Sequence, residues 1–356
     1  MGILQETFDR LLAEHADVLE DKGEEISEAH ERILRAALPE IAKTVSKTFS
    51  KTAPETLRVC RQDEEEFYQN NYARWHTSFS LIELYLGLST ELGSAVSAEF
   101  RPAATKNQDY FFEAIITLHA RALLVSREIF WLMKGGYADG ALGRWRTLHE
   151  IAVVANFLSI QDPIISKRYL LHRTIESYKT LTVYAQYQDR ANLTPLGEDE
   201  LPAVQAAYDE ILEEYGPEMR HDWGWATPAF DCKKTNFQQI EQYVDMDHWR
   251  PRYKWASQDT HGNYRPADRM LGTSEVQHVM LLVGPSNSGF ADPGQMMIVS
   301  LSLINDLLIA FSPNIDRLIY SVILDGLIEQ ISKALVEESQ LTEEQVRSRI
   351  ENRDTE

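Results

Sequence analysis

The 356-residue sequence has few cysteines, an excess of acid over base and no long apolar run. Its two cysteines, Cys60 and Cys232, are far apart, which excludes a disulfide framework and a cysteine zinc site and fits a reducing cytoplasm. The net charge of −20 argues against a protein coated with nucleic-acid-binding surface. Charged residues interrupt the most apolar stretch, so none reaches the roughly 18 residues of a membrane span. The N-terminus lacks the pattern of a signal peptide, and we expect a cytoplasmic protein with no membrane association.

Three further patterns are missing. Alternation of apolar and polar residues, which is typical of strands, is nearly absent, and helical periodicity dominates. The Gly/Ser-rich stretch 284–289 lacks the Gly-Lys-Ser/Thr ending of a phosphate-binding loop, and no dinucleotide fingerprint occurs. Glu275 and His278 have the spacing of half a di-iron site, but a second half is missing. We therefore predict an all-α protein with no cofactor and no bound metal.

Helical periodicity also suggests how the chain is divided. Residues 1–100 form a helical N-terminal region in which Pro54 breaks the helical pattern, and residues 102–107 form a linker. The core domain covers residues 108–315 and contains helices at 109–134, at 140–160 and from Pro163 to about Gln188; a Trp-rich excursion lies at about 190–260, and C-terminal helices occupy 316–356. We read the excursion as ordered, because disordered segments lack aromatic residues. The predicted fold is a multi-helix bundle with a helical N-terminal extension.

Two segments depart from the acidic average. Residues 101–190 contain 12 basic and 8 acidic side chains, and residues 245–270 are close to balanced. Both segments also contain the candidate motifs described below. A local pocket for an anionic ligand therefore remains possible, although uneven charge along a helical chain could be chance.

The densest group of charges follows the glycine-rich turn 135–140. Arg144, Arg146, His149 and Glu150 lie within two turns of one predicted helix. Arg146 and Glu150 are four residues apart, so they share a face and can form an ion pair. Apolar neighbours suggest that this pair is partly buried. Two interpretations stay open, a structural ion pair and a functional site.

Arg144 and His149 have the R-x4-H spacing. This spacing resembles the pair that carries activity in the HEPN superfamily of helical ribonucleases and nucleotide-binding proteins. There the arginine would stabilise phosphate charge and the histidine would move the 2′-hydroxyl proton. Residues five apart on a regular helix point about 140° apart, so an irregular helix or a dimer partner would have to bring them together.

Two other histidines lie in polar groups. Ser257 and His261 are four residues apart on a predicted short helix that Gly262 would cap, so their side chains could meet. The alternative is a capped helix end whose histidine bonds the last carbonyls. His172 shares a helix face with Glu176 and Lys179, and a lone histidine of this kind is more often a satisfied core residue.

The run Gly136-Tyr137-Ala138-Asp139-Gly140-Ala141-Leu142, followed by Arg146-Thr147-Leu148-His149-Glu150, resembles a bacterial family called domain of unknown function 5677. A later Tyr253-x3-Ser257-x3-His261 segment matches the second mark of that family, and Tyr169 stands in the place of its tyrosine-bearing helix. The resemblance covers roughly residues 110–300. It marks Arg146, Glu150, Ser257 and His261, whereas position 149 is commonly apolar in the family and position 144 need not be arginine.

The resemblance implies no established activity. The family is similar to HEPN-type domains and is often met near bacterial defence genes, which implies a HEPN-like core, a role as a toxin or antiviral defence effector, and a protein partner encoded nearby.

These observations support one leading hypothesis and two alternatives. The leading one is a HEPN-like protein whose pocket, formed by Arg146, Glu150, His172 and His261, binds or cleaves RNA or a nucleotide without metal, with His261 as the acid or base. A non-catalytic helical module for interaction and oligomerisation is the first alternative. A metal-dependent phosphohydrolase is the second. Residues 296–311 are apolar on nearly every side, and such a helix must be covered on every side. We expect a homodimer or larger oligomer; the alternative is one large core within the monomer.

Overall fold

The computed structural model describes residues 26–258, 266, 269–275 and 281–353, and no strand occurs among them. The α-helices, in chain order, are α1 (Ile26–Arg74), α2 (His76–Asn107), α3 (Tyr110–Lys134), α4 (Ala138–Ser159), α5 (Pro163–Tyr187), α6 (Glu200–Tyr215), α7 (Phe237–Tyr243), α8 (Arg250–Ser257), α9 (Ala291–Phe311), α10 (Ile315–Ser339) and α11 (Glu343–Arg353). Short 3₁₀ helices occur at Pro217–Arg220, Gly224–Ala229, Asp247–Trp249 and Leu271–Thr273. The prediction of an all-α multi-helix bundle is confirmed.

The chain divides into two compact units, residues 1–67 and residues 68–356. The described residues of the first unit belong to α1, and the second unit contains the helices from α2 onward. The predicted domain limits near residues 100 and 315 stay a prediction.

Helices α4 and α9 form the centre of the second unit. Helix α4 packs against α3, α9 and α8, and α9 also contacts α2, α3 and α10. Large side chains of α4 are fully buried, among them Trp145, Leu148 and Phe157. The indole of Trp145 donates a hydrogen bond of 2.9 Å to Ser300 Oγ, which satisfies its polar atom inside the core.

The apolar helix α9 is covered within its own unit. Its buried residues include Met297, Ile298, Leu301, Ile304 and Leu308, which lie on several sides of the helix. Helices α2, α3, α4 and α10 cover it, which is the alternative in which one large core within the monomer does so, and the homodimer or larger oligomer stays a prediction. Among the described residues α9 is also the one helix whose length and composition would suit a membrane span, a criterion that buried core helices equally meet.

Several helix ends follow the local sequence. The Asp109 carboxylate accepts a hydrogen bond of 3.0 Å from Phe112 N at the start of α3. Asp162 caps α5 in the same way, with Pro163 in the first helical position, as predicted. Between α3 and α4, Gly136 has a φ of +87°, which glycine adopts without strain.

Two expectations about proline are wrong. Pro54 lies inside α1 and Pro102 lies inside α2, so residues 102–107 are helical instead of a linker. A proline costs a hydrogen bond within a helix, but packing can offset that cost. Around Pro102 the offset is visible, because Ala104 is buried and Phe100 packs edge-on against Phe311 at 5.0 Å.

The Trp-rich excursion is ordered over residues 190–258, as expected. Arg168 of α5 anchors it by donating hydrogen bonds to the carbonyl oxygens of Tyr215, Gly224 and Trp225. The Trp225 ring lies edge-on to Tyr169 at 5.0 Å. These contacts fix the 3₁₀ segments against α5.

Candidate functional site

Arg146 and Glu150 form the predicted ion pair on α4. Arg146 Nε lies 3.3 Å from Glu150 Oε1, and the two side chains are 29% and 30% exposed. The pair is therefore partly buried, and its formation follows from the four-residue spacing on one helix.

Tyr253 of α8 completes this pair. Its hydroxyl donates a hydrogen bond to Glu150 Oε1, and Arg146 Cζ lies 4.9 Å from the centre of its ring. Burial, together with the Glu150 carboxylate, raises the pKa of Tyr253. Partial burial acts to lower the pKa of Arg146, but Tyr253 and Glu150 outweigh it and the pKa is raised. The phenol thus stays protonated and the guanidinium stays charged at neutral pH.

His149 lies beside this trio in a separate polar contact. The imidazole is 1% exposed, and its Nε2 donates to Glu241 Oε1 at 2.9 Å. Glu241, on α7, is fully buried, and its second oxygen accepts from Arg250 Nη1 of α8. The rings of His149 and Tyr253 are 5.7 Å apart, so the two groups adjoin.

We call the set Arg146, His149, Glu150, Glu241, Arg250 and Tyr253 the α4–α8 polar cluster. It joins α4 to α7 and α8, two neighbouring helices that are distant from α4 in sequence. Each of the two carboxylates in it has a cationic partner, so charge is compensated both at the fully buried Glu241 and at the partly buried Glu150.

Arg144 does not take part in this cluster. Its guanidinium pairs with Glu128 of α3 and lies 3.3 Å from Thr147 Oγ1. His149 is directed to Glu241 on the other side of the helix, as their angular separation on a regular helix requires. The structure therefore does not bring Arg144 and His149 together within this chain.

His172 has different partners again. Its Nε2 lies 3.1 Å from the carbonyl oxygen of Met219 and 2.9 Å from that of His221. Burial lowers the pKa of His172, which favours the neutral imidazole that donates through Nε2. This residue holds the 3₁₀ segments to α5 and does not contact the α4–α8 polar cluster.

The remaining predicted residues lie at the end of α8. Ser257 Oγ donates to the carbonyl oxygen of Tyr253 at 2.7 Å. The α-helix ends at Ser257 with Gln258 as its C-cap, and the predicted cap at Gly262 falls outside the described residues. His261 and Gly262 lie outside the described residues.

The outer side of α8 borders a groove of about 410 Å³. Pro251, Lys254, Trp255, Gln258 and Arg269 line it. Beside it, Arg252 Cζ lies 5.7 Å from the Trp255 ring centre and Arg252 Nη1 lies 2.7 Å from Asp292 Oδ1. The groove thus combines cationic side chains with an aromatic one. Within the described residues, no group of three or more His, Cys, Asp or Glu side chains is placed to hold a metal ion.

Residues 112–278 match the model of a family of unknown function, DUF5677. This segment is a DUF5677 domain. No curated protein and no solved structure matches the chain. The predicted resemblance to this family is confirmed, whereas the relation to HEPN-type domains stays a prediction.

The DUF5677 domain contains the whole α4–α8 polar cluster and the α8 groove. Sequence reasoning found the pair on α4 and the tyrosine on α8, because spacing and the family motif mark them. It missed Glu241 and Arg250. Glu241 lies in an acidic segment without clear periodicity, where no local pattern singles out one carboxylate among many, and Arg250 belongs to none of the sequence motifs.

Proposed function

We propose that the DUF5677 domain binds RNA or a nucleotide in the α8 groove, and that the α4–α8 polar cluster holds α8 in position. The observation that carries the proposal is that the exposed Lys254 and the aromatic Trp255 line the same groove. Bases stack on aromatic rings, and lysine and arginine neutralise phosphate. A cationic groove on a chain of net charge −20 is a local exception to its surface.

The α4–α8 polar cluster supports the proposal because it holds α8, which carries the groove residues, in a fixed position. Tyr253 and Arg250 anchor the inner side of α8 to Glu150 and Glu241, while Lys254 on the outer side is exposed. Binding residues on a helix that is fixed in this way lose little conformational freedom when a ligand arrives.

Cleavage would be a second step at the same place. His261 follows Gln258 by three positions in the sequence, and we propose it as the acid or base of a metal-independent ribonuclease. His149 is poorly suited to this role, because Glu241 and the rings of Trp145, Phe237 and Tyr253 enclose it.

The test is fluorescence anisotropy with a labelled single-stranded RNA and ATP as competitor. We expect Lys254→Glu and Trp255→Ala each to weaken binding about tenfold, and binding to weaken as salt rises. Lys333→Glu, which changes the same charge on α10, should leave affinity unchanged. No binding by the natural protein, or equal loss in the control, contradicts the proposal. Gel analysis of the recovered RNA decides between binding and cleavage, with His261→Ala as the variant for cleavage.

A non-catalytic, self-associating module is the second candidate. One observation favours it, a row of exposed apolar side chains on α10: Ile315, Leu318, Ile319, Val322 and Ile323, which are between 46% and 71% exposed. Their spacing of three and four places them on one face, which a second copy of the chain could cover.

For this candidate we expect a homodimer that Val322→Glu converts to a monomer, measured by light scattering at micromolar concentration. The control is Lys333→Glu, which lies on the same helix outside the row. A monomeric natural protein would refute self-association and leave the groove proposal intact.

A further inference from the structure

A second groove, of about 670 Å³, lies between α2 and α3. Its lining is mostly apolar or small and includes Ile116, Leu123, Ala120 and Gly93. Arg101 lies at this groove too, but Glu113 pairs with it at 3.3 Å, so its charge is compensated. The volume is in the usual range of small-molecule sites, which are apolar with a few placed polar groups.

His119 lines this groove together with the polar side chains of Thr90, Ser94, Ser97 and Arg101. It is 2% exposed, and its Nε2 lies 3.0 Å from Asn305 Oδ1. Asn305 Nδ2 donates to Ser89 Oγ at 2.9 Å and to Tyr85 OH at 3.3 Å. The Ser89 hydroxyl donates its own hydrogen bond to the carbonyl oxygen of Tyr85 at 2.8 Å. The amide oxygen therefore faces His119, and Nε2 must carry the hydrogen.

The other ring nitrogen is consequently an acceptor. Burial lowers the pKa of His119 to about 4, so the ring is neutral at pH 7 and Nδ1 bears a lone pair. Among the described residues Nδ1 has no hydrogen-bond partner. A ligand in the groove that donates an N–H or O–H to Nδ1 would give this acceptor its partner.

Gly93 packs against this edge of the imidazole. A Cβ at position 93 would lie 2.6 Å from His119 Nδ1 and 2.4 Å from Cε1, so only glycine leaves room for the ring in this position. Both residues line the groove, which places the imidazole in its wall.

We propose that the groove between α2 and α3 binds a small, mainly apolar molecule with one N–H or O–H donor, such as an indole or a phenol, with the donor bonded to His119 Nδ1. The groove shares no lining residue with the α8 groove, so this proposal does not depend on nucleic-acid binding.

The first test compares two ligands on the full chain by isothermal titration calorimetry. Indole can donate a hydrogen bond, whereas 1-methylindole has nearly the same shape and cannot. We expect indole to bind up to about tenfold more tightly, which is the net effect of one hydrogen bond. Equal affinities, or no binding of indole or phenol, would overturn the proposal.

Variants locate the site. His119→Phe should reduce indole affinity to that of 1-methylindole and leave 1-methylindole unchanged. Gly93→Ala should abolish binding of both, because the methyl group displaces the imidazole. Gly87→Ala is the matched control on the same helix, since a Cβ there meets nothing within 4 Å. Unchanged indole binding in His119→Phe, with folding verified by circular dichroism, would refute the assignment. If a variant fails to fold, the comparison of indole with 1-methylindole on the natural protein still tests the proposal.

Discussion

Replacing Glu241 by Ala is expected to lower the free energy of unfolding by about 3–5 kcal/mol. The carboxylate is fully buried and bonds His149 on one side and Arg250 on the other. Its removal leaves the donor on His149 without an acceptor in a setting that excludes water. It also leaves Arg250, whose side chain is 23% exposed, with a partly buried charge that lacks its partner. Urea denaturation followed by circular dichroism measures the change.

Glu150→Ala is the matched control within the same cluster. It removes the same side chain, but Glu150 and its partner Arg146 each keep almost a third of their exposure. Water can replace part of the lost interaction, and we expect a loss of about 1–2 kcal/mol. A Glu241→Ala loss no larger than this would mean that the inner part of the cluster contributes little.

A double-mutant cycle of Glu241→Ala with Arg250→Ala isolates their interaction. Because the two residues touch, their effects should not add, with a coupling of about 1–3 kcal/mol. Additive effects would show that the two act independently and that α8 is held in place by its apolar contacts.

The parts of the fold that local sequence determines were predictable. Helices α3 to α5 follow from apolar periodicity and from caps such as Asp109 and Asp162, whose signals lie within a few residues of the helix end. Local sequence did not predict that α1 continues through Pro54 and that α2 continues through Pro102. Packing partners from distant segments, such as Phe311 against Phe100, decide whether a helix tolerates proline.

The same limit applies to the site. The pair of Arg146 with Glu150 lies on one helix, so spacing alone predicts it. Tyr253 joins it across 103 positions of sequence and Glu241 joins His149 across 92, distances at which spacing carries no information. Arg144 is close to Arg146 and Glu150 in sequence, and yet its partner, Glu128, lies on another helix, α3. The motif therefore predicts that α4 contains the charged pair, but it does not predict which distant residues contact that helix.

The stability of the protein is expected to fall by about 2 kcal/mol between pH 7 and pH 5 through His119 alone. Burial lowers the pKa of His119 from 6.5 to about 4. Between these values the unfolded chain binds a proton at this position and the folded protein does not. Acidification therefore favours the unfolded state, so this stabilisation is fully present above about pH 6.5 and is lost progressively towards pH 4.

The contribution of His119 can be separated by measuring the free energy of unfolding against pH in the natural protein and in His119→Phe. His172 has a lowered pKa and acts in the same direction, while burial raises the pKa of Asp306, which acts in the opposite direction. Both groups are present in the natural protein and in His119→Phe, so the difference between the two pH profiles reports on His119. Between pH 7 and pH 5, we expect the free energy of unfolding of His119→Phe to fall by about 2 kcal/mol less than that of the natural protein. Parallel profiles would mean that the imidazole titrates near its ordinary pKa and that burial does not hold the ring neutral.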